Sequence, residues 1–495
     1  LYISSKSTGA KTMTLAKRSL KNMIKLVIID LTAQLISGQS IAAPVLTLDQ
    51  FLEQVRTGND SYKAGKLIED AAPDKALDPE MAYAPTLFAN AQSAVDKKEV
   101  QPASQRGTET DYISGQLGVS KLTGIGTAFK LYYGMSHTKI LGTSPQFVPE
   151  PEWRETSPTL EITHPLWKNA LGRDIARSVE LQQGQTEITR LTESLKRKIT
   201  LSEAEGTYWR LVLARESLRV AKDNLERARK IVDWTKRRVG KELADSADLI
   251  QAEALGELRE IELTMAIDEE RAAAFSFNTI RGNSGPHVPD ELTKLTPETL
   301  KNLAAPKRTQ DREDVLAAEK SAKLGEIAAQ LANAKYQPSV DLFASGTLNG
   351  RDPMSNAKAN SKALKGKHAT YAVGLKLSAV LGGSHFSRLS EGVAKERQAA
   401  TLAAARRRYE NDREWVDLNL KLQESRARLG LTQKIETTQL KKLNAERNRQ
   451  SRGRSTMFQV MQAETDYASS QLNVIRNKAE ILGIMARIKT FGGEG

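Results

Sequence analysis

Residues 207–254 read TYWRLVLARESLRVAKDNLERARKIVDWTKRRVGKELADSADLIQAEA, and their spacing decides the fold. Leu211, Leu218, Leu225, Val232 and Val239 recur every seven residues, with Ala214, Ala221, Ala228 and Thr235 between them. Large residues facing small ones at heptad positions make a narrow helix–helix seam. Leu181, Ile188 and Leu195 extend that seam upstream, and no proline interrupts residues 169–239. A helix of ~70 residues is ~100 Å long at ~1.5 Å per residue, longer than any single globular core requires. Gly240 ends the run. A polar turn over 240–247 follows, Asp245 or Ser246 can cap the next helix, and a return helix runs to about 274.

The chain says this twice. VGKELADSADLIQAE (239–253) is echoed by RGRSTMFQVMQAE (452–464). The second copy has its own long helix over about 385–451, a turn at 452–456 and a return helix to about 489. The sequence therefore divides into a first repeat (43–290) and a second (291–495). Each opens with a short helix, at about 46–60 and 295–303, and the second adds a helix over 309–334. Between the turns the offset is 453 − 240 = 213, but between Pro85 and Pro338 it is 253, so the first repeat carries 40 additional residues. They fall among its strand-like segments, in GQLGVSKLTGIGTAFKLYYGMSHTKI and the proline-rich stretch from Pro145 to Pro151.

Strands are expected over about 84–164, 338–349 and 369–381, where the period changes to two. Leu160 and Ile162 alternate with Glu161 and Thr163; Val340, Leu342 and Ala344 with Asp341, Phe343 and Ser345; Tyr371, Val373, Leu375 and Leu377 with Ala372, Gly374, Lys376 and Ser378. An apolar face backed by a polar one fits a barrel with lipid outside and water inside. On that reading Glu161, Thr163, Asp341, Ser345, Lys376 and Ser378 line the lumen. A few strands cannot span a membrane alone, because their edges leave backbone groups unsatisfied, so several chains must share one barrel. The long helices would continue it as a helical tube. Residues 351–367, rich in Lys, Asn and Ser, read as a loop. The competing reading is a secreted or periplasmic coiled-coil scaffold with a small β head and no channel. Detergent dependence separates the two.

Composition excludes much else. Of 495 residues, 39% are hydrophobic and only 5% aromatic, thin for several globular cores and suited to long helices with narrow seams. The absence of cysteine excludes disulfides, thiol catalysis and cysteine-ligated metals. Net charge is +13. Residues 1–42 carry six bases and one acid around a modest apolar run ending in Ser40 and Ala42, the pattern of a secretory signal peptide. Without them the charge is 67 − 59 = +8. His137, His164, His287, His368 and His385 are scattered, which argues against a histidine metal site or nucleophilic catalysis. GIGTAF (124–129) is a two-glycine turn without a Walker-type lysine. The basic stretches lack interleaved aromatics, so nucleic acid is not an expected partner. No cofactor and no enzymatic activity are expected.

In combination these segments resemble the TolC-like outer-membrane efflux proteins. The likeness is carried by DPEMAYAPTLFANAQ, LEITHPLWKNALGRD, the helix–turn–helix quoted first, YQPSVDLFASGTL, YAVGLKLSAVLGG and RGRSTMFQVMQAE, and covers about residues 46–490. The resemblance implies a fold that is mainly α with a β part and an internal two-fold repeat. It implies a homotrimer whose β-barrel, usually four strands per chain, sits in outer-membrane lipid and continues as an α-helical barrel across the periplasm. It further implies a passive export duct, closed at its periplasmic tip until an adaptor and an inner-membrane transporter dock. The echoed turns become that tip, with Gly240, Asp245, Asp248, Gln251, Gly453, Gln459 and Gln462 as gate candidates. Arg237, Arg238, Lys241, Arg449, Arg452 and Arg454 become candidate adaptor contacts. Where the family often places carboxylates, the second repeat has neutral Gln459 and Gln462. The expected gate therefore rests on polar hydrogen bonds and Arg–Asp contacts rather than an acidic ring.

Overall fold

The computed structural model describes residues 45–295, 300 and 307–492; the leader reading at 1–42 and most of the short helix expected at 295–303 lie outside them. Strand β1 (Val45–Leu46) leads into α1 (Leu48–Gly58) and α2 (Asp60–Lys75). Thr47 and Gln50 form a reciprocal capping box at the start of α1. A 3-10 turn at Asp78–Tyr83 delivers the chain to β2 (Thr86–Asp96), α3 (Ala103–Arg106), β3 (Glu109–Leu122), β4 (Ala128–Leu141) and β5 (Glu152–Pro165). The first hairpin follows: α4 (Arg173–Val239) and α5 (Ser246–Ile280), which ends six residues beyond the expected Ala274. After β6 (Glu291–Leu292) come α6 (Glu313–Lys335), β7 (Ser339–Leu348), β8 (Gly350–Asp352), α7 (Asn356–Leu364) and β9 (Ala369–Ser378). The second hairpin is α8 (Ser384–Ser451) and α9 (Met457–Lys489). The stretch expected as a loop at 351–367 holds a short strand and a helix. Ser355 caps that helix, and Ala359 and Ala363 bury it.

One antiparallel sheet runs β2-β3-β4-β5-β7-β9, with β8 extending the β7 side along β5. The additional residues of the first repeat form the β3–β4 hairpin in the middle of this sheet, giving six main strands where the resemblance implies four. The turn between β3 and β4 folds back onto the helical end. A Cβ on Gly172 would lie 2.0 Å from the Gly124 carbonyl oxygen, and Gly172 has φ +72°, so only glycine fits where this turn meets the start of α4. Asn169 closes the junction, accepting the backbone N–H groups of Asp174 and Ile175 through its side-chain oxygen.

Register sorts the two faces. Ala89, Leu117 and Tyr133 pair in line, as do Leu87, Val119, Leu131, Leu160 and Gly346 through successive strands. Leu342 and Ala344 then pair with Leu375 and Val373. This face is apolar and exposed, Val373 at 77%. The opposite face carries Lys130, Tyr132, Glu161, Asp341 and Lys376. The outer edges of β2 and β9 pair with nothing among the described residues.

The core sits where the helices meet the small β1–β6 sheet. Phe51 stacks on Phe277 at 4.1 Å, and Tyr208 meets Trp209 edge-on. The Tyr208 hydroxyl donates to the Leu46 carbonyl (2.7 Å) and accepts from Thr293 N–H (3.1 Å). Along α4 the small heptad residues Ala214, Ala221, Ala228 and Thr235 are all buried, as seam packing requires. Other helix faces stay open. Leu258, Ile261 and Met265 on α5, and Leu402, Tyr409 and Val416 on α8, are large, apolar and exposed at helical or heptad spacing.

Candidate functional site: a polar sheet face and a helical tip

The six lumen candidates share one face of the sheet. Glu161 lies across from Ser345, Asp341 across from Lys376, and Ser339 and Ser378 exchange a hydroxyl contact at 3.0 Å. Thr163 is on the same side, opposite Phe343. Tyr132 donates to Glu161 at 2.9 Å, and the Lys130 ammonium lies 3.9 Å from the same carboxylate and over the rings of Phe88 and Tyr132. Thr159 and Thr347 meet at 3.0 Å. The face is hydrophilic, mixed in charge and already hydrogen-bonded, which suits contact with water.

At the far end, the two hairpins turn by different chemistry. In the first, Gly240 keeps right-handed φ −67°, and Glu242 takes the left-handed position at φ +58°. Leu243 N–H closes the turn on the Arg238 carbonyl, and the Arg238 guanidinium donates to the Leu243 carbonyl (2.9 Å) while lying over the Trp234 ring. Asp245 caps α5: the backbone N–H of Ala247 and then the Ser246 hydroxyl hold its carboxyl below the usual range. In the second hairpin Gly453 does take the left-handed position, at φ +72°. Thr456 and Gln459 form a reciprocal capping box, and the Ser455 hydroxyl adds a second hydrogen bond to the Gln459 side-chain oxygen. Gln459 is thus held as a cap. Gln462 donates to Asp466, whose carboxyl is lowered chiefly by the Lys442 ammonium at 2.8 Å. Arg449 pairs with Glu446. Gln251 and Asp248 are at the surface or half-buried, and Asp248 forms no ion pair among the described residues. Arg237, Lys241, Arg452 and Arg454 are exposed. Thr456→Ala removes one half of the capping box, so we expect a loss of about 1 kcal/mol, read as a lower melting temperature with the secondary structure retained.

Sequence reasoning missed the strongest polar feature near the tip. Glu464, fully buried, accepts from Arg227 of the first hairpin and from Arg447 at 2.9 Å. Arg227 also donates to Asn224 and lies over the Tyr467 ring. Beside it, Arg259 of α5 donates to Thr465 of α9 at 3.2 Å. Beneath these polar ties, Ile231, Leu255, Met457, Val460 and Met461 pack into an apolar plug joining both hairpins. The repeat hid this cluster: Glu464 ends the second Gln-Ala-Glu, but its counterpart Glu253 is exposed.

No protein-family model and no curated protein sequence matches the chain. Solved structures do. The outer membrane protein VceC of Vibrio cholerae shares 16% identity over 90% of this chain and 96% of its own, with a TM-score of 0.66. CusC, whose structures concern transmembrane channel formation, gives 11% identity, coverage of 91% and 93%, and a TM-score of 0.67. The MtrE outer membrane channel of Neisseria gonorrhoeae, solved in its open state, gives 15%, 90% and 89%, and 0.62. The chain therefore has the fold of these outer-membrane channel proteins: long paired helices with a β part, the class expected from the TolC-like resemblance. No described helix is long and apolar enough to cross a membrane, which says nothing about a β-barrel.

Proposed function

We propose that three copies of this chain form a passive export duct, a β-barrel in the outer membrane continued by a helical barrel into the periplasm. The observation that carries this reading is the sheet. Its outer face is apolar and exposed, its inner face is polar, and its edges β2 and β9 lack partners among the described residues. Such edges are satisfied when β9 of one copy pairs with β2 of the next, which leaves no open edge in lipid. Three copies then contribute eighteen strands, a size at which barrels enclose an aqueous channel. The exposed apolar stripes on α5 and α8 supply matching helical contacts between copies. Energy comes from an inner-membrane transporter, and a periplasmic adaptor docks on the tips through Arg237, Arg238, Lys241, Arg449, Arg452 and Arg454.

Cryo-electron microscopy of the purified chain in lipid nanodiscs tests this. The expected result is a trimer with eighteen strands; a soluble monomer that stays out of the bilayer overturns it. A second expectation concerns the gate. Gln459 and Gln462 offer neutral amides where an acidic ring would bind cations, so micromolar divalent cations should leave the conductance in a planar bilayer unchanged. Strong micromolar block would show that Asp248 or another carboxylate ring governs the pore.

A further inference from the structure

Helix α7 lies on the lipid-facing side of the sheet. A Cβ on Gly350 would fall 1.9 Å from the Ala359 carbonyl oxygen and 2.4 Å from the Ala363 nitrogen. Gly350 pairs with Thr156, which aligns through Met135 with the apolar face, and Thr156 is fully buried beneath the helix. Ala359 and Ala363 thus form one stripe of the helix, pressed against the barrel wall.

The two flanking stripes differ in chemistry, and their contacts orient them. Asn360 accepts from the Tyr133 hydroxyl at 2.9 Å; Tyr133 lies on the side of Gly350 nearer the apolar band, two residues along from Leu131. Leu364, four residues on, follows Asn360 and is 64% exposed. On the other side, Lys362 reaches Asp352 (2.9 Å) and the Arg351 carbonyl (3.0 Å), further from the band. Lys358 and Lys365 fall on the same stripe as Lys362 by helical spacing. Residues 350–368 contain five bases, Arg351, Lys358, Lys362, Lys365 and Lys367, against the single acid Asp352. Lys358, Lys365 and Lys367 are exposed and pair with no carboxylate among the described residues.

A short helix with an exposed leucine on the side toward the hydrocarbon and lysines on the side toward the headgroups suits a membrane interface. Resting on the outer-membrane reading above, we infer that α7 sits at the outer leaflet and that Lys358, Lys365 and Lys367 bind the phosphate groups of a phosphorylated glycolipid there. Three features commit the surface to a lipid. The site is continuous with the apolar band, its exposed Leu364 contacts acyl chain, and its charge is complementary to phosphate.

The test uses the full-length protein with bisphosphorylated lipid A as the probe, bound lipid counted per trimer by native mass spectrometry. The parent should retain about one lipid A per protomer. The triple variant Lys358→Gln/Lys365→Gln/Lys367→Gln should bind at least tenfold more weakly, since each basic residue near an anionic surface contributes about fivefold. A triple lysine-to-arginine variant should bind like the parent. Equal retention by the glutamine variant, or equal retention of dephosphorylated lipid A, overturns the inference. Displacement by millimolar inorganic phosphate would reassign the lysines to free anions and likewise overturn it. Conductance is measured on the same samples. A parent that conducts but retains no lipid A sinks the lipid site alone, whereas a parent that neither inserts nor conducts sinks the duct reading beneath it.

Discussion

We expect Val373→Arg to abolish assembly in the membrane and Ala372→Arg, one residue away, to leave it intact. Val373 lies on the apolar face of β9, opposite Ala344, and is 77% exposed in the single chain. In the proposed trimer that exposure is to lipid. An arginine on the lipid face near the bilayer midplane costs about 2–4 kcal/mol per copy. Three copies make that roughly 6–12 kcal/mol, comparable to the whole stability of a typical domain. Ala372 pairs with Ser345 on the polar face beside Lys376, where a long cation finds water. The Ala372→Arg trimer should therefore form in normal yield and shift ion selectivity toward anions. Membrane-pelleted trimer on a non-denaturing gel reads the first effect, and reversal potential under a salt gradient reads the second. Because a strand alternates faces with period two, a register slip by one residue would exchange the two results. That exchange would show that the lipid and water faces are assigned the wrong way round.

The hairpins were legible in the sequence because their packing is local. A heptad row such as Leu211, Leu218 and Leu225 announces its seam without reference to any distant residue, and the turn at Gly453 carries its glycine where φ is positive. The strands were legible as strands, but the position of the β3–β4 hairpin within the sheet was not, since the sheet is completed by pairing β5 with β7, segments far apart in the chain. Helix α7 was hidden for another reason. Its sequence NAKANSKAL buries only two alanines, too little apolar signal to stand out from a polar loop. Gln459 also caps α9, a role that Thr456-x-x-Gln459 announces as a capping-box signature although its place in the echo pointed only to the gate. Glu242 takes the left-handed position although Gly240 stands two residues earlier, so the turn geometry is set by more than the nearest glycine.

The buried carboxylate of Glu464 leads to the second large expectation. Its two arginine partners come from different hairpins, Arg227 on α4 and Arg447 on α8, so one side chain ties the first hairpin to the second. It sits eight residues into its helix from Thr456, roughly 12 Å from the tip. Removing one member of a buried ion cluster leaves the others charged and unpaired, at about 3–5 kcal/mol. Arg227 and Arg447 keep 21% and 39% side-chain exposure and recover some hydration, so Glu464→Ala should fall at the lower end of that range. Glu464→Gln preserves the shape but cannot balance two guanidinium charges, and it should lose nearly as much. The destabilisation should be local, because the apolar plug of Ile231, Leu255 and Met461 and the Arg259–Thr465 hydrogen bond still hold the hairpins together. In a planar bilayer both variants are expected to conduct more at rest than the parent, with a tip that opens without an adaptor. Replacing all three charged residues by apolar ones, Arg227→Met/Glu464→Leu/Arg447→Met, should restore stability and rest-state closure, because no unpaired charge remains. If Glu464→Ala melts and conducts like the parent, the cluster is ordinary helix packing and the tip is held shut by contacts between copies.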